Sequence, residues 1–476
     1  MHNIAIQTFK RLPLFAALLT LLASILSTLP ASAETYLSAK DEQLMHALKA
    51  EALASELSYE LLESLTTEVG ARLAGTASDP LAVAWAVAKM EALGFDKVWT
   101  EPVEVPIWER GELSVNVTAP YPQRLEALSL GGSVGTARKG LNAEVVEFPS
   151  LAALDAVAEG SLNGKIAYIS NRMIRHVEGR GYGPAVAARG RGASAAAKKG
   201  AIAFLLRSIG TDDNRTPHTG GMNYEEGVAK IPAIALSNPD ADLLSNMLRR
   251  GTTSVRIKSS AKSHSKKTFT THNVIGEITG SEAPDEIVAL GAHLDSWDVG
   301  TGAMDDGLGV AMTIAAAAMI GKQTPAPKRT IRVILYAAEE IGFFGTIQYM
   351  KDHENEVAKH VIGAEWDFGL GRIYELRPGV GEVSLAAAKA LATHLGDLGV
   401  LLGKGNDAQA QSDMSLLSKA GMPAINFAPD GSRYFDLHHT DNDTLDKIDP
   451  EDLKQNTSVY TVFAWFASQS GVDFRK

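Results

Sequence analysis

No cysteine occurs anywhere in the 476 residues, which excludes disulfides, a lipidated cysteine anchor and any zinc site built from thiolates. Positive charge is also scarce: 45 Lys and Arg stand against 56 Asp and Glu, a formal net charge of −11. That balance argues against nucleic acid as a partner. Long apolar runs are missing beyond the N-terminus, so no later segment reads as a bilayer span. What is present is 45% apolar residues, enough for a sizeable core. The length exceeds what one core usually serves, so two domains are expected.

The first residues follow the layout of an export signal. Lys10 and Arg11 precede an apolar stretch from Leu12 to Leu29, and Ala31-Ser32-Ala33 supplies a small-residue cleavage site before Glu34. Cleavage after Ala33 is expected, with export to a periplasm or the medium. The competing reading is a retained anchor, which the short apolar stretch and Pro13 oppose; no stable span remains once the signal is removed.

The mature chain opens with helical spacing from Asp41 to Leu65, then a helix started by Asp79-Pro80 and stopped near Gly94, then a strand from Val98 to Val105. From about Leu113 to Lys258 the pattern changes. Short strands at Lys165–Ile169 and Ala201–Leu206 flank an alanine-rich helix over Pro184–Lys199, which reads as a separate β-rich module with a few helices. The polar run Ser259 to Lys267 suits a solvated linker. After Asn273, strands at Ile287–Leu290 and Ile331–Tyr336 alternate with helices at Gly309–Ile320 and Val383–Leu395. Such alternation predicts an α/β fold with a mostly parallel sheet and helices on both faces.

Imidazoles and carboxylates gather at the ends of these hydrophobic runs, where open α/β sheets place their sites. They are His293 and Asp295, Asp305 and Asp306, Glu339 and Glu340, Asp367, and His438 and His439 with Asp443. In that ratio they suit a pair of zinc-like ions, and two ions sharing a water make a hydrolase. His293 and Asp295 are two apart, so on a continuing strand they share a face, and Asp295 can reach the far imidazole nitrogen. Asp305 and Asp306 precede a helix; either is a candidate N-cap, and Asp305 is favoured as a carboxylate bridging two ions. Glu339 and Glu340 end a strand and should point to opposite sides, one binding metal and the other facing substrate as a base. Crowded carboxylates repel unless a cation compensates. Asp367 alone reads more often as a cap than as a ligand, and one of His438 and His439 ligates while the other packs or bonds a substrate. The Gly179 to Gly183 run lacks phosphate-loop spacing and reads as a flexible loop. His218 reads as a surface-loop histidine, the alternative being an approach to the cleft that holds the site, and Asp413 as a helix start.

The stretches His293-Leu294-Asp295-Ser296-Trp297-Asp298-Val299-Gly300, Ala303 to Gly307, Arg207-Ser208 and Pro217-His218-Thr219-Gly220 resemble a family of two-zinc exopeptidases. It comprises bacterial leucyl aminopeptidases, aminopeptidase Y and the plasma glutamate carboxypeptidase (carboxypeptidase Q) branch, to which the similarity is greatest. The resemblance implies two Zn2+ ions. His293 and Asp367 would hold one, Glu340 and His439 the other, with Asp305 bridging, Glu339 as general base and Asp295 orienting His293. His439 is preferred over His438 because His439 to Asp443 fits the family's spacing. A cis peptide between Asp305 and Asp306 is implied as well. So is a domain plan: signal 1–33, peptidase parts 34–112 and 267–476, and a protease-associated-type insertion over 113–266 that supplies no catalytic residue. The implied reaction is hydrolysis of dipeptides or short peptides, the alternative being removal of N-terminal residues, and the implied assembly a homodimer. A receptor-like binding protein without chemistry, or a glutaminyl cyclase, is disfavoured by the complete set of ligands.

Overall fold

A computed structural model describes residues 36–476, and the expected leader with its cleavage position lies outside the described residues. Two eight-stranded sheets form the frame. The first runs in the order Lys97–Glu109, Lys262–Ile278, Arg329–Tyr336, Ala283–His293, His360–Glu365, Ala424–Pro429, Ile373–Gly379, Leu401–Leu402. Its centre is parallel: Ala283–His293 pairs with Arg329–Tyr336 on one side and His360–Glu365 on the other, which in turn pairs with Ala424–Pro429. Antiparallel pairs lie to either side of that centre. The sheet is therefore mixed, not mostly parallel. Strand and helix alternation after Asn273 generates only the parallel middle. The first strand precedes that alternation and finds its partner more than 150 residues later, with Lys97 opposite Glu277.

The second sheet collects strands between Leu113 and Ser259. Leu141–Phe148, Ile166–Ile169, Ala203–Arg207 and Ala233–Leu236 pair in parallel at its middle. The helices Leu151–Asp155, Tyr182–Lys198 and Asn238–Leu248 accompany them, so this region has more α/β character than a β-rich module. One buried apolar cluster runs through both halves, from Met45 and Leu62 to Leu130, Ala193 and Phe204. The polar run expected as a linker is largely strand: Lys262 and Ser263 pair with Glu109 and Trp108. Backbone pairing suffices there because Lys262, Ser263 and Thr268 keep their side chains exposed.

Leu308–Gly321 is the central helix, and every residue from Leu308 to Ile320 is buried. With the preceding turn, Ala303–Gly321 is long and apolar enough to cross a membrane, at mean hydropathy 1.4, contrary to expectation. It lies wholly inside the protein, against the helices Leu57–Glu68 and Pro450–Gln469 and the first sheet. An all-round apolar helix is what such a sandwiched position requires. The helix Asp79–Ala92 starts at Asp79, so its cap position is Ser78, one residue before the aspartate expected to cap it. Asp79 turns outward from that helix and accepts from the Gly75 amide and the Thr271 hydroxyl.

Candidate metal centre

The site forms where the parallel strands end. His293 is the last residue of Ala283–His293, Asp367 lies just past His360–Glu365, and Glu339 and Glu340 follow Arg329–Tyr336. His439 comes from the loop after the short helix Tyr434–Leu437, and Asp305 from the turn before the central helix. The Asp305–Asp306 peptide is cis, as the family resemblance implies. Ala338 has φ 59, so the chain leaves its strand by a sharp turn and strand alternation does not govern the two glutamates. Both line the same cavity.

Asp305 stands between two imidazoles. Its Oδ1 lies 3.1 Å from His293 Nε2, and its Oδ2 lies 3.3 Å from His439 Nε2. Asp367 Oδ1 is 3.3 Å from His293 Nε2, while Glu340 Oε2 is 3.0 Å from His439 Nε2. His438 is stacked on His439 with ring centres 3.5 Å apart, and its Nε2 is farther from Asp305, at 3.7 Å. Donor atoms of His293, Asp305 and Glu340 all lie within 4.8 Å of one another, as do those of Asp305, His438 and His439.

The electrostatics fit a cation. Burial, then repulsion from Asp305, pushes Glu340 well above the usual carboxylate range. Burial alone would raise Asp305, but His293 and His439 hold it well below. Burial works against a charged His293, yet Asp295, Asp305 and Asp367 hold it well above the imidazole range. A protonated imidazole and a bound metal are alternative answers to the same excess of negative charge. His439 is pushed down to about 4, chiefly by burial, which favours the neutral ring that ligates. Asp305 Oδ2 and Glu340 Oε1 are buried without a hydrogen-bond partner. Buried carboxylate oxygens rarely lack one, and a metal ion supplies the missing interaction. Imidazole and carboxylate donors without sulfur suit zinc.

Neighbouring groups fix the donors. His293 Nδ1 is 3.0 Å from the backbone carbonyl of Asp295 and 3.6 Å from its carboxylate. The Asp295 carboxylate instead accepts from the amides of Glu339 and Glu340 at 3.0 and 3.4 Å. Asp306 faces away and accepts from the amides of His293 and Gly309, so of the two aspartates it is the one that bonds the start of the central helix. Ser412 donates to Glu339 Oε1 at 2.6 Å. Burial, then Asp367, lifts Glu339 to about 8.

Several participants have no signature in the sequence. Arg72 is fully buried and donates to the carbonyls of Leu294, Thr301 and Gly302, bracing the loop between His293 and Asp305. Ser412 and Arg189 likewise reach the site from distant segments, as does His218 from a motif that the sequence does show. His218 is not on the surface but 1% exposed, bonded to the His438 carbonyl. Asp443, used above only as part of a spacing, accepts from the amides of Met304 and Asp305. The donors open on a cavity of about 750 Å³, whose far wall includes Trp108, Arg189 and Tyr224 from before the first parallel strand. A smaller cavity of about 310 Å³ shares Asp367, Phe368 and Ser412 with it.

Residues 273–464 match the model of peptidase family M28. Carboxypeptidase Q of Xenopus laevis is 35% identical over 419 residues, 87% of this chain and 86% of the relative. Among solved structures, a peptidase M28 precursor from Shewanella amazonensis is 48% identical and superposes with a TM-score of 0.90, covering 92% of this chain and 98% of that one. A zinc aminopeptidase from Bacillus subtilis has the same fold at 22% identity, with a TM-score of 0.63 over 88% of this chain and 98% of that one. With a metal-ready cluster at the strand ends and similarity along almost the whole described length, the chain belongs to peptidase family M28 and is an enzyme of that family.

Proposed function

We propose that the protein is a two-zinc exopeptidase acting on dipeptides or short peptides. His293 and Asp367 would hold one ion, Glu340 and His439 the other, and Asp305 would serve both. The observation that carries this reading is the pairing of distances: each carboxylate oxygen of Asp305 faces a different imidazole, and each imidazole has one further carboxylate beside it. When bound, the ions supply Lewis-acid activation of water and stabilise the developing oxyanion. Glu339 is the general base. Its Oε1 is engaged by Ser412, so Oε2 is left to take a proton from the attacking water and return it to the departing amine. Burial and Asp367 raise the Glu339 carboxyl, and cations held beside it would offset that rise and keep it ionised, the form a general base needs.

Attack on dipeptides with both termini free is supported by the 35% identity to carboxypeptidase Q. Removal of N-terminal residues is the second reading, supported by the fold shared with a zinc aminopeptidase. In the same proposal residues 1–33 are an export signal, 113–266 an inserted protease-associated-type domain between peptidase parts 34–112 and 267–476, and the enzyme a homodimer.

The test combines a variant with a substrate panel. Glu339→Gln should keep its zinc content while kcat falls by about 10²–10⁴-fold; an active Glu339→Gln enzyme removes the base assignment. Free dipeptides, N-blocked peptides and aminoacyl amides then separate the readings. Turnover of free dipeptides with inert amides supports dipeptidase action, whereas amide cleavage transfers the assignment to an aminopeptidase.

A further inference from the structure

We infer that the loop Pro217-His218-Thr219-Gly220, which belongs to the second sheet's half of the chain, positions His439 for metal, with His218 as the positioning residue and Asp212 orienting it. The inference rests on the reading of His439 as a ligand, and extends it to a segment otherwise expected to supply no catalytic residue.

His439 has φ 60, a left-handed conformation that a non-glycine residue keeps only when its surroundings hold it there. The surroundings are this loop. His218 Nδ1 lies 2.7 Å from the carbonyl of His438, and the Thr219 amide donates to the carbonyl of His439 at 3.0 Å. Both peptide carbonyls at the ligand are thereby fixed from one side. The Thr219 carbonyl, in turn, lies 3.4 Å from His439 Nδ1. A proton on Nδ1 directed at that carbonyl leaves the lone pair on Nε2, the nitrogen that faces Asp305 and Glu340.

His218 is itself held on its far side. Its Nε2 meets Asp212 Oδ1 at 2.8 Å, and Asp212 also accepts from the Asn238 side chain at 3.1 Å and the Asn214 amide at 3.0 Å. His218 and Asp212 are 1% and 5% exposed. The loop has no room to shift: a Cβ on Gly210 would stand 2.2 Å from the His218 ring, and one on Gly220 2.2 Å from the Arg189 guanidinium. Arg189 Nη1 stands 3.5 Å from His439 Nδ1; a guanidinium only donates, so it makes no bond to the protonated Nδ1 and serves to close the pocket around the ring. Merely tethering two halves of a protein needs no buried His–Asp pair aimed at the peptide of a ligand, because burying such groups is costly unless each bond is made.

The experiment uses the full mature chain with zinc alone as the probe, and reads zinc affinity by chelator competition together with the zinc-dependent rise in Tm. Folded His218→Ala should bind zinc about 10–100-fold more weakly, and its zinc-dependent rise in Tm should shrink. His218→Gln, which keeps a donor near the His438 carbonyl, should recover most of both. Should His218→Ala fail to fold, Asp212→Asn carries the same test at nearly unchanged volume. Wild-type zinc affinity in these variants, or a fall in Tm that is equal with and without zinc, overturns the inference. His439→Ala is the control: if it binds zinc as tightly as wild type, the ligand reading itself is wrong, a failure distinct from that of the loop.

Discussion

The Asp443 carboxylate accepts from the Met304 amide at 2.6 Å and from the Asp305 amide at 3.2 Å. Burial, then the charge of Asp305, raises its pKa to about 7. It thus ties the loop bearing His439 to the turn bearing Asp305. Asp443→Ala would leave both amides buried without an acceptor, at about 1–3 kcal/mol for each. The expected result is a lower urea midpoint together with weaker zinc binding, Asp443→Asn falling between Ala and wild type because it keeps one acceptor oxygen. An Ala variant as stable as the parent would show that the amides find other partners. His293, Asp305, Glu339, Glu340 and Asp367 could be singled out in the sequence because each sits beside an apolar run, and His439 only because its spacing to Asp443 fits the family resemblance; the structure brings the six side chains together. Arg189 and Ser412 could not be singled out, and Pro217-His218-Thr219-Gly220 stood out as a motif without showing what His218 touches: Arg189 meets His439 across 250 positions, and His218 meets His438 across 220. No local spacing encodes such contacts.

At the scale of elements, the strand Arg329–Tyr336 and the helix Phe344–Asp352 enclose a polar chain in which titration can be separated from the metal site. Glu277 binds Arg332, Arg332 donates to the Tyr349 hydroxyl at 2.8 Å, and that hydroxyl lies 2.9 Å from His360 Nε2. His360 Nδ1 lies 3.0 Å from the Glu356 carbonyl, so the neutral ring satisfies both nitrogens. Burial, then Arg332, depresses His360 to about 4. The unfolded chain therefore binds a proton more readily between pH ~6.5 and ~4, and stability falls as pH drops through that window. The shift corresponds to an effect on the order of 3 kcal/mol. His353, raised by its bond to Glu101, works in the opposite sense, so the difference between wild type and His360→Gln is the informative quantity. Urea midpoints at pH 7 and pH 4.5 should lie closer together in His360→Gln; an unchanged gap would exclude His360 as the cause. The elements themselves were read well where apolar residues run without interruption, as in the central helix and the strands on either side of it. Parallel and antiparallel pairing was not readable, because the partner of Lys97–Glu109 lies beyond the whole second sheet.

At the scale of the molecule, the metal centre and the joint between the halves of the chain are one structure. The five proposed donors come from separate strand ends and loops between His293 and His439, and no two of them are close enough in sequence to form a site in the unfolded chain. Metal binding must therefore favour the folded state. The second half of the joint is polar: Arg110, which follows the first strand, binds Asp298 and donates to Thr219 Oγ1 at 2.8 Å, so the loop after His293 and the loop against His439 are gripped together. Zinc at 100 times its dissociation constant stabilises a single site by about 2.7 kcal/mol. For a chain larger than 250 residues each kcal/mol moves Tm by only about 2–4 °C or less. Stripping zinc with a chelator should thus lower Tm by on the order of 5 °C for each site emptied, abolish peptide hydrolysis, and be reversed by zinc. Because Asp305 faces both imidazoles, the two losses should not be independent: replacing either His293 or His439 by Ala should weaken zinc at the remaining site. Calorimetry of the wild type and the two variants reads this directly. A His293→Ala protein that retains one zinc equivalent at the affinity of the wild-type site would show that Asp305 serves one ion only.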